Sequence, residues 1–312
     1  MSVRVLRPGL LTTVQDLGRP GHQHEGVPAG GAMDAYAARL ANLLVGNDEG
    51  AAVLEMTLTG PSLVFGSAAM LALTGVSFDA RLDGAPVATW RAFSAGEGAV
   101  LDAGAARAGC RGYLAIAGGF DVPLVIGSRS TYLPGGFGGL EGRAVRAGDI
   151  IRTGAESRAR TGPGRTIASS VRPEYGTVIR FVRDERAGSA LHAPVDGREF
   201  SVSARSDRMG YRLEGATVEW PEASEVLSAA VTMGTIQLPP DGAPIVLMAD
   251  RQTTGGYPVL GQVATVDLGS VAQLRPGDGV SFTEVSLEEA QRLYLDRERA
   301  VDALRRALLQ PL

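Results

Sequence analysis

The sequence predicts a mainly β protein made of two similar barrel-like halves, and three observations lead there. Glycine (42) and proline (17) are abundant among the 312 residues, yet 45% of the residues are apolar. That balance suits many short strands joined by tight turns rather than disorder. Short apolar runs bounded by Gly, Pro or Asp recur along the chain. The order of elements also repeats: an apolar run, a glycine-rich polar loop, a second apolar run, then an Arg-x-Gly-Asp turn leading into a strand.

Taken in order, residues 3–6 are the first expected strand. Residues 33–45 predict a helix, because Ala37, Leu40, Ala41 and Leu44 share one face and Gly46-Asn47 stops it. Residues 62–65, 70–74, 100–101 and 113–117 read as strands, and Arg146-Ala147-Gly148-Asp149 turns into Ile150-Ile151. Residues 153–166, rich in Arg, Gly and Ser, read as a linker, so the halves are expected at 1–160 and 161–312. The second half offers strands at 177–182, 226–231, 245–248 and 280–282, a short helix opening at Ser189-Ala190-Leu191, and a matching turn at Arg275-Pro276-Gly277-Asp278. Ser286 and Glu289 form a capping box that starts a last helix running to Leu309.

Charge and composition exclude several functions. There is no lysine; all 30 basic residues are arginine. Schiff-base chemistry, a P-loop lysine and a lysine carrying biotin are therefore absent. The net charge of −4 supplies no field to steer nucleic acid. The one cysteine, Cys110, permits no intramolecular disulfide and has no histidine near it in sequence. Neither a leader peptide nor a membrane span is expected, which points to the cytoplasm.

The densest chemistry is Ala249-Asp250-Arg251-Gln252-Thr253-Thr254-Gly255-Gly256-Tyr257-Pro258, delivered by the apolar run before it. Arg251 brings a fork of donors suited to carboxylate or phosphate, and the glycines let backbone N–H groups approach a ligand. A plain turn at a sheet edge is the competing reading. Residues 15–34 hold Asp16, Arg19, His22, His24 and Asp34 among glycines, with His24 as an acid–base candidate. His22-x-His24 has no third ligand nearby, so no metal site is expected. In Gly127-Ser128-Arg129-Ser130-Thr131, Arg129 and Thr131 are candidate anion ligands. In Asp207-Arg208-Met209-Gly210-Tyr211, Arg208 and Tyr211 could complete a polar pocket, or mark a turn between strands. No Gly-x-Ser-x-Gly elbow occurs.

Gly9 to Gly21, Gly26-Val27-Pro28 with Gly31-Ala32-Met33-Asp34, and the three later motifs resemble the signatures of the KipA-like family. That family also goes by three other descriptions: the C subunit of 5-oxoprolinase, allophanate hydrolase subunit 2, and the A/B part of a biotin-dependent carboxyltransferase domain. The resemblance spans about residues 3–285 and implies cyclophilin-like β-barrels. It also implies a KipI-like partner protein. Joined by a further, LamB/YcsF-like protein, the complex would convert 5-oxoproline and ATP, as Mg-ATP, to glutamate. The alternatives are carboxyl transfer from carboxybiotin to urea or a related amide, and regulatory binding of a KipI-like kinase inhibitor. The chain contains no biotin-carrier segment, so the oxoprolinase reading is preferred. The amidase reading of the allophanate name is discounted, for want of a lysine. Arg251, Thr253 and Thr254 are the expected oxyanion donors, with Asp250, Asp34 and His24 as base candidates. Arg19, Arg129, Thr131, Arg208, Tyr211, Gln252, Gly255, Gly256 and Tyr257 would bind the small amide substrate or its anionic group.

Overall fold

The computed structural model describes residues 1–155, 162–184, 195–219 and 227–309. The protein is mainly β and divides into two compact units. The first comprises residues 1–19, 30–173 and 300–312; the second comprises residues 20–29 and 174–299.

In the first unit, eleven strands form two sheets. They are β1 (Ser2–Arg7), β2 (Leu11–Gln15), β3 (Val53–Thr57), β4 (Ser62–Phe65), β5 (Ala69–Gly75), β6 (Arg81–Leu82), β7 (Ala85–Pro86), β8 (Arg91–Ala95), β9 (Val100–Asp102), β10 (Arg111–Ile116) and β11 (Ile150–Arg152). One sheet runs β11-β1-β4-β9-β6-β7 and the other β2-β3-β10-β5-β8. Helix α1 (Ala35–Leu44) lies where its periodicity places it, and the Asp34 carboxylate caps it by accepting from Ala37 N at 3.0 Å. Its apolar face joins a core with Val53, Ala72, Tyr113 and Ala115 of the second sheet.

One row of that sheet is polar although fully buried. Register aligns Thr13, Glu55, Tyr113 and Thr74 across four strands. Directly opposed side chains share a face, so these groups stand together. The Tyr113 hydroxyl donates to Glu55 at 2.9 Å and accepts from Asp34 N at 2.7 Å, while Met33 N donates to Glu55 at 2.8 Å. Burial, reinforced by the Glu55 charge, pushes the Tyr113 hydroxyl well above its usual pKa. The row thus anchors Gly31-Ala32-Met33-Asp34 to the sheet by satisfying its backbone.

The second unit holds β12 (Val178–Arg183), β13 (Glu199–Val202), β14 (Gly210–Gly215), β15 (Ala229–Ala230), β16 (Thr235–Gln237), β17 (Ile245–Leu247), β18 (Thr254–Gly255), β19 (Val259–Val263) and β20 (Gly279–Glu284). Seven of them close a barrel in the order β12-β19-β16-β17-β14-β13-β20, and β15 pairs with β18 apart from it. Phe282 packs edge-on against Phe181 and Phe200, at ring separations of 6.0 and 5.9 Å. Helices α2 (Leu268–Gln273) and α3 (Leu287–Leu309) follow, and the Ser286 hydroxyl accepts from Glu289 N at 3.2 Å as the capping box requires. The barrel expected of both halves is closed in the second unit, whereas the first distributes its strands over two sheets.

The repeated turn is the same object in both units. Asp149 Oδ2 accepts from Arg146 N at 2.7 Å, and Asp278 Oδ2 accepts from Arg275 N at 2.8 Å. Gly148 and Gly277 take φ of +91° and +89°, which only glycine adopts without strain. Each turn then bonds back to a strand, Val5 in one unit and Val202 in the other.

The segment read as a linker is tied to the first unit where it is described. Thr153 bridges Phe120, Ala92 N donates to Arg165 O, and Ile167 N donates to Trp90 O. Residues 156–161, the helix expected at 189–191 and the start of the strand at 226 lie outside the described residues.

Replacing Tyr113 with Phe should cost about 1–3 kcal/mol, because Asp34 N and Glu55 each lose a buried partner. A urea titration checks this through a lower midpoint at unchanged slope; an unmoved midpoint would contradict the role of the polar row.

Candidate functional site

Residues 249–258 leave the barrel at the end of β17. The Asp250 carboxylate is 1% exposed and receives Arg208 in a two-point ion pair, Nε at 2.8 Å and Nη2 at 3.1 Å. Arg208 sits just before β14, which pairs with β17, so the ion pair staples the two strand ends together. Backbone bonds reinforce the staple: Asp250 N donates to Arg208 O and Met248 N to Met209 O. Both carboxylate oxygens of Asp250, expected to be a base, are thus engaged by Arg208. Tyr211 is likewise turned inward, its hydroxyl donating to the carbonyls of Ala272 and Leu274 at 3.4 and 3.3 Å.

Arg251 comes next and is 7% exposed. Its guanidinium touches only carbonyls: Nε donates to Val231 O at 3.4 Å and Nη1 to Met248 O at 3.2 Å. Its Nη2 makes no hydrogen bond among the described residues. Burial lowers the Arg251 pKa, and the attraction of Asp250 only partly offsets this. A cation held by carbonyl dipoles, beside a carboxylate already spent on another arginine, is stabilised by an incoming anion.

The rest of the loop doubles back. Val231 N donates to Thr253 O at 3.1 Å, and Ala229 and Ala230 pair with Gly255 and Thr254. Thr254, Gly256 and Tyr257 are exposed, and Thr253 is half-buried. Gly255 has a specific steric role: a Cβ there would lie 2.3 Å from Gln237 Nε2. Its bareness therefore admits a side chain of the same unit rather than a ligand. Gln252 Nε2 donates to Gln237 Oε1 at 3.4 Å, and the buried Gln237 Nε2 has no hydrogen-bond partner among the described residues. Beside this ladder a cleft of about 280 Å³ is lined by Ala230, Thr232, Thr235, Val259 and Gln262 among others. Arg251 is not on its wall. Gln237 was invisible to sequence reasoning; its only signal is a carboxamide inside an apolar strand.

The first unit brings two distant motifs together. Asp16 Oδ1 accepts from Gly18 N at 2.8 Å and from the Ser128 and Ser130 hydroxyls, both at 2.6 Å. Its Oδ2 accepts from Arg129 N at 2.6 Å. Asp16 thus organises the Gly127–Thr131 loop. The Thr131 hydroxyl is spent on Val14 O, so it is not a ligand donor. Arg19, expected to bind a substrate anion, is 2% exposed, donates to the Ser130 carbonyl and lies 5.1 Å from the Phe137 ring centre. Asp34 is a buried helix cap and not an accessible base. Arg129 stays half-open, bonded to Val122 O at 2.9 Å and 3.6 Å from Asp121. In the second unit His24 is exposed on a 3-10 turn, 3.8 Å from Glu25. Among the described residues no cluster of His, Cys, Asp and Glu could hold a metal, and no helix is long and apolar enough to cross a membrane.

Residues 25–284 match the family described as carboxyltransferase domain, subdomain A and B. The chain is 38% identical to the C subunit of 5-oxoprolinase from Haemophilus influenzae, covering 94% of each chain. It is 39% identical to the C subunit of 5-oxoprolinase from Escherichia coli K12, covering 97% of each. Among solved structures, the urea amidolyase of K. lactis superposes with a TM-score of 0.91 at 31% identity, covering all of this chain and 20% of that one.

Arg208→Ala should destabilise by about 3–5 kcal/mol, because it leaves the Asp250 charge buried and unpaired. Arg251→Ala, which breaks no ion pair, should cost only about 1–2 kcal/mol. Chemical denaturation of both variants tests the ranking, and the reverse order would contradict the division of labour between the two arginines.

Proposed function

Because the chain belongs to the family of carboxyltransferase domain subdomains A and B, we propose that it is the C subunit of an ATP-dependent 5-oxoprolinase acting in the cytoplasm. The observation that carries this reading is the end-to-end correspondence, 94–97% of both chains, with proteins named as that subunit. The urea amidolyase match covers 20% of that much longer chain. In this reading a KipI-like protein and a LamB/YcsF-like protein make up the rest of the enzyme, and Mg-ATP is its co-substrate. The total absence of lysine fits a chemistry in which no biotin is attached to this chain.

The substrate 5-oxoproline carries a carboxylate and a lactam, and opening the lactam builds negative charge on its carbonyl oxygen. Arg251 is the side chain best prepared for such an anion: it is desolvated, has an open Nη2 and has no carboxylate of its own. Thr253, Thr254 and the exposed backbone at Gly256 supply further donors on the same loop. Gln252 and Gln237 present carboxamides, the group complementary to a cyclic amide edge. The Asp250 and Asp34 carboxylates are engaged by Arg208 and by the α1 cap, and in this reading the base comes from the partner proteins.

Carboxyl transfer to a urea-like amide is the second reading, favoured by the TM-score of 0.91 to urea amidolyase. The full complex of all three proteins should release glutamate from 5-oxoproline with ATP and be indifferent to avidin. Avidin-sensitive, bicarbonate-dependent activity on urea would favour the second reading and sink the first. In the same assay Arg251→Ala should lower kcat/KM by about 10²–10³, the usual cost of losing an oriented donor at a developing oxyanion. Arg251→Lys should rescue poorly, since a point charge does not reproduce the planar fork; full activity in either variant would remove Arg251 from the site.

A further inference from the structure

The outer face of the six-stranded sheet in the first unit is unusually apolar at one edge. Register places Arg4 between Ile150 and Val64, and Val64 opposite Val100, so these four side chains form one row on the face away from Val3, Val5 and Leu63. Ile150 is 63% exposed, and it sits on the edge strand β11. Beside it a cleft of about 490 Å³ is lined by Leu124, itself exposed, with Asp121, Arg129 and Arg152. Ile150 and Leu124 are thus exposed apolar groups on either side of a cleft with charged walls, and half-buried Val64 and Val100 continue the sheet face; exposed apolar groups rimmed by charge mark interaction surfaces.

The rim charges tell what chemistry is missing. Neither Arg4 nor Arg152 makes a side-chain hydrogen bond or ion pair among the described residues. Elsewhere in the same unit Arg7, Arg39, Arg107, Arg143 and Arg305 each hold a carboxylate. Arg4 therefore stands within the row, between Ile150 and Val64, and Arg152 lines the cleft, both without a carboxylate among the described residues. Nucleic acid would leave Ile150, Val64 and Val100 facing phosphate, and the chain's net charge of −4 opposes it.

We infer that this face docks the KipI-like protein, through acidic side chains around an apolar anchor inserted into the cleft between Leu124 and Ile150. The inference rests on the reading of the chain as one part of a complex. It is tested with the KipI-like protein of the same organism as the probe, by calorimetry on the purified pair. Ile150→Asp, and the pair Arg4→Glu with Arg152→Glu, should each weaken Kd at least about tenfold, and the charge pair should also flatten its salt dependence. Arg212→Glu, an exposed charge reversal in the second unit, is the reference. Circular dichroism on each variant verifies that the fold is kept.

Tight binding by every variant, or equal losses in Arg212→Glu, would overturn the assigned surface and leave the reading as part of a complex standing. No binding even by the unaltered chain would overturn both. If instead the unaltered chain forms a dimer that Ile150→Asp dissociates, the occupant is a second copy and the inference in its stated form fails.

Discussion

The buried ion pair between Arg208 and Asp250 is the interaction on which the second unit's chemistry depends. It forms where β14 and β17 begin and end side by side, and it consumes the one carboxylate adjacent to Arg251. Two charges taken out of water must be paired with good geometry or they cost several kcal/mol each. Arg208 meets that demand through two nitrogens; Arg251 is left with carbonyl partners only. The result is a loop whose start is fixed and whose cation is unspent. In the proposed reading an incoming anion relieves that electrostatic imbalance.

The first unit uses its polar residues the other way. Asp16 satisfies four donors from two motifs that lie more than a hundred positions apart, and Tyr113 joins Glu55 to the cap of α1. Buried networks of this kind are worthwhile only when every member is paired, and here they tie the loops around residues 18, 31 and 128 to the sheet and to one another. The long N-terminal signature is thus mostly a set of instructions for packing. A resemblance carried by such residues speaks first about fold and only indirectly about chemistry.

This explains what was legible in the sequence. Helix α1 and the capping box at Ser286 follow from local rules and could be read directly, as could strands with apolar runs such as β4, β5, β10 and β17. The twin turns at Asp149 and Asp278 were visible as a repeat because turn chemistry is local. Strands β2 and β3 escaped notice because Thr12, Thr13, Gln15 and Glu55 break the expected alternation, and only long-range partners make those side chains tolerable inside. The same limit applied at the site. Residue type marked Arg19, Asp34 and Asp250 as available, whereas burial and pairing show them engaged. Arg251 stood out by residue type and position, but the reason for its interest, a neighbour's charge already spent, exists only in three dimensions. Gln237 had no local signal at all.

In the proposed reading Arg251 is an under-compensated cation that receives the substrate's anionic group. The most direct measurement is a crystal structure of the complete complex with 5-oxoproline bound. A substrate oxygen is expected at charge-assisted hydrogen-bond distance, about 2.7–2.9 Å, from Arg251 Nη2. The Arg208–Asp250 pair would remain unchanged beside it. A substrate bound elsewhere, with Arg251 still touching only the carbonyls of Val231 and Met248, would contradict it.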